Sequence, residues 1–186
     1  MEKTSEGHFS AMGLETRPAT TLANARQACE IRQTTLCYME RDGKYLMLHR
    51  VKKVKDASRD KWIGIGGKCE KDESPDECMV REVEEETGLA VKKWQYRGIV
   101  TFISDVWPCE YMHLFTCLNW SGTLVCDCRE GDLQWIGKEE IFNLALWEGD
   151  KIFLRLLMDE QQPFFSLKLV YEGDMLVQAK LDGQEL

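Results

Sequence analysis

Residues 67–89 read GKCEKDESPDECMVREVEEETGL. Gly67 is followed after five residues by Glu73, and after seven more by Arg81-Glu82-Val83-Glu84-Glu85-Glu86-Thr87-Gly88-Leu89. The stretch specifies a helix from both ends. Ser74 is an N-cap residue, Pro75 fits the first helical position, Glu77 completes a capping box, and Gly88 is a C-cap. Helical residues advance by about 100° each, so with Glu82 at zero, Glu85 lies near −60° and Glu86 near +40°. Three carboxylates share one arc, while Glu84 falls on the solvent side. Met79, Val80, Val83 and Thr87 are expected to face the core.

Like charges on one arc repel by about 0.2–0.5 kcal/mol per close pair, so folding gains nothing from them. A hard divalent cation offsets that cost, because Mg²⁺ and Mn²⁺ favour carboxylate and water oxygens. Mg²⁺ takes few protein ligands and is completed by substrate phosphates. Gly66-Gly67 before the helix permits close approach of a ligand and can add a carbonyl oxygen. Arg81 can tether neighbouring carboxylates through bidentate hydrogen bonds.

Around this stretch the pattern predicts strands at residues 34–39 and 45–50, joined by an Arg41-Asp42-Gly43-Lys44 turn. A basic loop at 51–61 leads to a short strand at 62–65. Further strands are predicted at 94–102, 111–119 and 133–136, with a turn at Asn119-Trp120-Ser121-Gly122 between the last two. Helices follow at 139–146 and 150–159, the second with Phe153, Leu156 and Leu157 on its apolar face. A last hairpin spans 164–171 and 175–181 around Glu172-Gly173-Asp174. The order of elements is α+β with a mixed sheet. Residues 1–30 lack a sustained period and read as a poorly ordered extension with a short helix at 22–28. Residues 31–186 read as one domain.

The 186 residues carry a net charge of −8 at a pI near 5, which argues against a general nucleic-acid surface. No apolar run approaches the roughly 20 residues of a membrane helix, and no secretory signal is visible. Eight cysteines and three histidines occur without a C-x-x-C pair, which argues against zinc. The nearest cysteines, in Cys126-Asp127-Cys128, read as reduced thiols of a cytoplasmic protein.

The 67–89 stretch resembles the Nudix signature at every position. From about Cys29 to the C-terminus the chain resembles the MutT-type Nudix hydrolases, above all the bacterial MutX-like branch. The resemblance is carried by LMLHR at 46–50, WIGIGGK at 62–68, WEGDKIF at 147–153 and PFFSLKLVYEGD at 163–174. It implies a Nudix fold, a mixed sheet sandwiched between helices. It also implies Mg²⁺-dependent hydrolysis of nucleoside triphosphates bearing oxidised purines, such as 8-oxo-dGTP, to the monophosphate and pyrophosphate, a nucleotide-pool sanitising reaction. Matched by position, Glu82, Glu85 and Glu86 become metal ligands and Gly66 adds its carbonyl. Glu130 matches a further acidic ligand or base. Glu85, Glu86 and Glu130 form the catalytic set, with the general base either Glu85 or Glu130. Arg50 matches a basic residue near the phosphates, and Thr35, Trp147 and Asp150 match positions lining the base pocket.

Two departures concern the base. Ile63 stands where some mammalian relatives have an asparagine after the tryptophan, and Gly149 replaces one of their paired aspartates. The alternatives are a Nudix hydrolase of ADP-ribose or a dinucleoside polyphosphate, or a silent nucleotide-sensing Nudix domain. The expected partner is a small-molecule nucleotide, with no nucleic acid and no membrane, bound by a monomer or small homo-oligomer.

Overall fold

Asp42 and Gly43, both at positive φ (52° and 70°), turn β1 (Arg32–Arg41) back into β2 (Lys44–His49). The computed structural model describes residues 31–52, 58–125 and 127–186. The extension at 1–30 with its short helix, the middle of the basic loop and Cys126 lie outside the described residues. β3 (Trp62–Ile63) and β6 (Asp132–Gly137) both pair with β2. β1 pairs in parallel with β5 (Glu110–Gly122), which continues into β4 (Leu89–Ser104), β7 (Phe165–Glu172), β8 (Met175–Leu181) and β9 (Gln184–Glu185). β1/β5 and β4/β7 are parallel and the other pairs antiparallel, so the sheet is mixed.

Alternation along each strand divides the core. Cys37 and Met39 of β1, Leu46 and Leu48 of β2, and Phe115 of β5 pack with Met79 and Val83 of α1 (Pro75–Thr87). Tyr38, Tyr45, Met47 and Leu114, their sequence neighbours, pack with Phe153, Leu154 and Leu157 of α2 (Glu148–Met158). The mixed sheet therefore lies between two helices, as expected of an α+β Nudix fold. Among the described residues no helix is long and apolar enough to cross a membrane.

α1 begins and ends where its sequence directs. The Ser74 side chain accepts from the Glu77 amide, Glu77 accepts from the Ser74 amide, and Gly88 closes the helix at φ 70°. Its buried face comprises Cys78, Met79, Val83, Glu86 and Thr87 rather than the expected stripe containing Val80. The helix is rolled toward the glycine loop, which leaves Val80 half-buried on the outer side, lining a groove with Trp94. α2 is held at both ends. The Tyr171 hydroxyl accepts from the Gly149 amide at 2.7 Å, and Arg97 donates to the Asp159 carbonyl at 2.8 Å beyond the last turn. Its buried stripe contains Leu154 where Leu156 was expected.

Two expectations fail outright. Asn119-Trp120-Ser121-Gly122 is strand, not turn, because each pairs with the beginning of β4 between Leu89 and Lys93. Residues 139–146 hold only a 3₁₀ turn, Ile141–Asn143, because the chain is extended at Leu144 and the Ala145 carbonyl accepts from the Trp62 amide.

The capping box gives a direct test. Ser74→Ala should lower the unfolding free energy by about 1 kcal/mol, read by urea titration. An unchanged midpoint would mean that the box does not hold the helix start.

Candidate active site

Gly66 and Gly67 connect the sheet to α1. On the sheet side the Thr35 amide donates to the Gly67 carbonyl at 2.9 Å, and Cys37 and Ile65 exchange hydrogen bonds of 2.7 and 3.0 Å. Gly66 adopts φ 152°, and a Cβ there would stand 2.1 Å from the Thr35 carbonyl oxygen, so no other residue fits. On the helix side the Gly66 amide donates to Glu86 Oε2 at 3.2 Å. A Cβ on Gly67 would stand 2.6 Å from the Glu82 carboxyl group. The glycines thus bring bare backbone against both carboxylates.

Glu86 is only 6% exposed, and its Oε1 is buried without a hydrogen-bond partner. Burial, reinforced by the Glu130 and Glu82 charges, pushes its acid up to about 8. Glu82 is also pushed up, mainly by burial and against the pull of Arg81. A charged carboxylate in such surroundings needs a cation.

Arg81 orients this face. Its Nε and Nη2 grip the Glu73 carboxylate at 2.6 and 2.9 Å, and its Nη1 donates to Glu82 at 2.9 Å and Glu85 at 3.3 Å. The guanidinium pulls Glu73 down to about 2. Glu73 therefore acts as an anchor for the arginine that positions the others. Glu85 is turned outward, its side chain 61% exposed.

Glu130 arrives from the loop between β5 and β6. Gly131 lies so close to β2 that a Cβ there would be 1.8 Å from the His49 carbonyl oxygen. That contact seats Glu130 beside Arg50, with which it forms an ion pair. Glu82, Glu86, Glu130, Arg50 and the Gly66 backbone are therefore gathered in one place. Glu82, Glu86 and Glu130 present hard oxygen donors, and among the described residues the Gly66 carbonyl accepts no hydrogen bond. This donor set suits a hard divalent cation. Among the described residues no group of three His, Cys, Asp or Glu side chains is placed to hold a metal ion by itself.

Trp147 and Asp150 lie on the opposite, α2 face. Trp147 is the residue before α2 and meets Tyr171 edge-on, with centroids 5.5 Å apart at 81°. Lys61 Nζ stands 5.0 Å from the Trp147 ring centroid and donates to the Leu146 carbonyl at 3.3 Å. Asp150 is the third helical residue and does not cap the helix. It is 8% exposed, and burial pushes its acid up to about 7, against the pull of Lys61. Gly149 has a packing reason: a Cβ there would meet Leu169 Cδ1 at 2.4 Å.

Thr35 is not brought to these two residues. It is 1% exposed on the α1 face, with its hydroxyl 3.6 Å from Cys78 Sγ. Its neighbour Thr34 occupies the α2 face and donates to Glu110 Oε2 at 3.2 Å. Thr34, Glu110, Lys61 and Tyr171 also meet on or near this face without a motif that marks them. Strict alternation counted from Tyr38 would have found Thr34. Ile63 is buried in the α1-side core, and Trp62 stacks on His49 at 4.5 Å.

Asp150 predicts a pH dependence. Its acid is raised in the folded state, so its contribution to stability is greatest below about pH 4. That contribution falls as pH rises toward about 7, by a total on the order of 4 kcal/mol. Asp150→Asn should remove this fall, and urea unfolding of both proteins across that range should show the difference. Parallel curves would refute the buried acid.

The NUDIX domain family matches residues 31–157. An uncharacterized Nudix hydrolase of Bacillus subtilis (strain 168) is 33% identical over 135 residues, 70% of this chain and 82% of its own length. The oxidized purine nucleoside triphosphate hydrolase of Danio rerio is 29% identical over 128 residues, covering 67% and 80%. The CTP pyrophosphohydrolase of Escherichia coli (strain K12) is 30% identical over 121 residues, covering 64% and 86%. The crystal structure of a MutT protein from Bacillus halodurans matches with a TM-score of 0.73 at 25% identity, over 83% of this chain and 99% of that one. With its glycine loop, carboxylate helix and mixed sheet, the chain belongs to the Nudix hydrolase family.

Proposed function

We propose that this protein is a Mg²⁺-dependent nucleoside triphosphate pyrophosphohydrolase that prefers oxidised purines, cleaving substrates such as 8-oxo-dGTP to the monophosphate and pyrophosphate. The observation that carries the reading is the buried, half-satisfied Glu86 carboxylate beside Glu82 and Glu130. Such a cluster is costly alone and favourable once a cation and a phosphate chain share it. Mg²⁺, or Mn²⁺ in its place, would supply charge neutralisation and polarise phosphoryl oxygens when bound.

The protein's residues then divide the task. Glu82, Glu86, Glu130 and the Gly66 carbonyl would hold the cation, and the outward Glu85 would contribute from the rim. Arg81 fixes Glu82 and Glu85, while Arg50 leaves its pairing with Glu130 to bind the phosphates. Glu130, facing the cluster, takes the proton from the attacking water, whereas Glu85 points to solvent. A P–O bond to that water forms, the P–O bond to the departing pyrophosphate breaks, and the proton passes from Glu130 to solvent. Across the sheet, Trp147 offers a stacking surface for the base. Asp150, uncharged over much of the acid to neutral range, can donate or accept a hydrogen bond at its edge. The preference for an oxidised purine draws on these two residues and on the likeness to the Danio rerio enzyme. The free thiols among the described cysteines accord with a cytoplasmic setting.

Glu86→Gln should lower turnover by roughly 10²-fold or more without lowering the melting temperature, since charge and not volume is removed. It should also abolish the thermal shift that Mg²⁺ gives the wild type. Full activity in this variant would sink the cation site. A panel of 8-oxo-dGTP, dGTP, CTP and ADP-ribose, scored for kcat/KM and for pyrophosphate against phosphate, tests the substrate. Greater rates on CTP or ADP-ribose would overturn the oxidised-purine reading while leaving the chemistry standing.

A further inference from the structure

Glu110 is a half-buried carboxylate for which the fold has no evident use. It opens β5, and its register partners are Arg32 on β1 and Phe102 on β4. Strand alternation puts Glu110 on the same face as Met112 and Leu114, which pack in the α2-side core. Thr34, two residues before Leu36 of the same core, shares that face and donates its hydroxyl to Glu110 Oε2 at 3.2 Å. Among the described residues Glu110 has no cation within ion-pair distance. Burial raises its acid above the ordinary carboxylate range, with Thr34 and the charge of Arg32 opposing.

A chain of aromatic contacts runs from beside Glu110 to Trp147. Phe102, directly across the strand pair from Glu110, lies 5.4 Å from Tyr171, and Tyr171 lies 5.5 Å from Trp147. Phe102, Met112 and Trp147 are only partly buried against the core, so part of this aromatic surface is accessible. Glu110 therefore stands at the far side of an aromatic surface from Asp150. With Oε2 receiving the Thr34 hydroxyl, Oε1 is left to accept a second donor.

We propose that Glu110, held by Thr34, is a specificity-determining residue of the base pocket that accepts the N7–H of an oxidised purine. An ordinary purine presents a lone pair at N7, whereas an 8-oxo purine carries a proton there. A carboxylate acceptor attracts the second and repels the first. Asp150 reads another part of the base, so the two acids act at opposite ends of the aromatic surface. The inference rests on the oxidised-purine reading above and adds the residue that enforces it.

The test measures kcat/KM for 8-oxo-dGTP and dGTP with Mg²⁺ in the wild type, Glu110→Gln and Glu110→Leu. The expected wild type prefers 8-oxo-dGTP. Glu110→Leu should reduce that preference at least about tenfold, through a raised KM for 8-oxo-dGTP more than a lowered kcat. Glu110→Gln should also narrow it, because its amide can donate to the ordinary N7. Melting temperatures identify a variant that fails to fold, and Glu110→Gln, nearly isosteric, keeps the comparison available if Glu110→Leu does. A wild-type preference retained in both folded variants would overturn the role of Glu110 alone. A wild type without preference would overturn this role together with the oxidised-purine reading.

Discussion

One hydrogen bond organises the centre of this molecule: the Gly66 amide donating to the Glu86 carboxylate. It fixes where a buried charge sits at the junction of the sheet and α1. Every feature around it serves that placement. Gly66 must be glycine because the Thr35 carbonyl occupies the space of a side chain, and at Gly67 a side chain would displace the Glu82 carboxyl group. The second Glu86 oxygen has no protein partner. Burial and the Glu82 and Glu130 charges make it a poor anion in isolation, which is the condition under which a cation gains most from binding.

The remainder of the box supports those two glutamates indirectly. Arg81 takes Glu73 on one side of its guanidinium and Glu82 with Glu85 on the other. An arginine so clamped orients the carboxylates it bonds. The arrangement separates anchoring from chemistry: Glu73 holds Arg81, and Arg81 holds the glutamates that face the site. Across the sheet α2 is fixed in a comparable way, by Tyr171 at its beginning and Arg97 at its end. The two faces then differ in character, with acidic oxygens and Arg50 on one and aromatic rings with Asp150 and Glu110 on the other.

Some parts of this were legible in the sequence because the signals are local. The limits of α1 follow from Ser74, Glu77 and Gly88, whose effects reach only one turn. The β1–β2 turn follows from Asp42-Gly43 for the same reason. Other parts depended on distant segments. Asn119 to Gly122 has turn-like residues, yet the start of β4 supplies partners for all four and the strand continues. The predicted helix at 139–146 yields to a contact with Trp62. Val80 and Cys78 exchange their expected places because α1 rolls onto the glycine loop. That choice depends on packing, which periodicity alone cannot resolve to one residue.

The sequence by itself determined the family chemistry: the spacing from Gly67 to Leu89 puts Glu82, Glu85 and Glu86 on one helical arc, and helix geometry leaves no freedom there. The order of its elements also pointed to a mixed sheet, and the family resemblance implied that the sheet lies between helices. Only the tertiary structure decided which of the clustered acids are buried, separating Glu86 from the exposed Glu85. It alone separated Thr35 from Trp147 and brought Glu110 against Thr34 on the α2 face. The physical reason is that burial and facing are properties of strand register and helix roll. These are set by contacts between residues as far apart as Thr34 and Glu110, which no local pattern records.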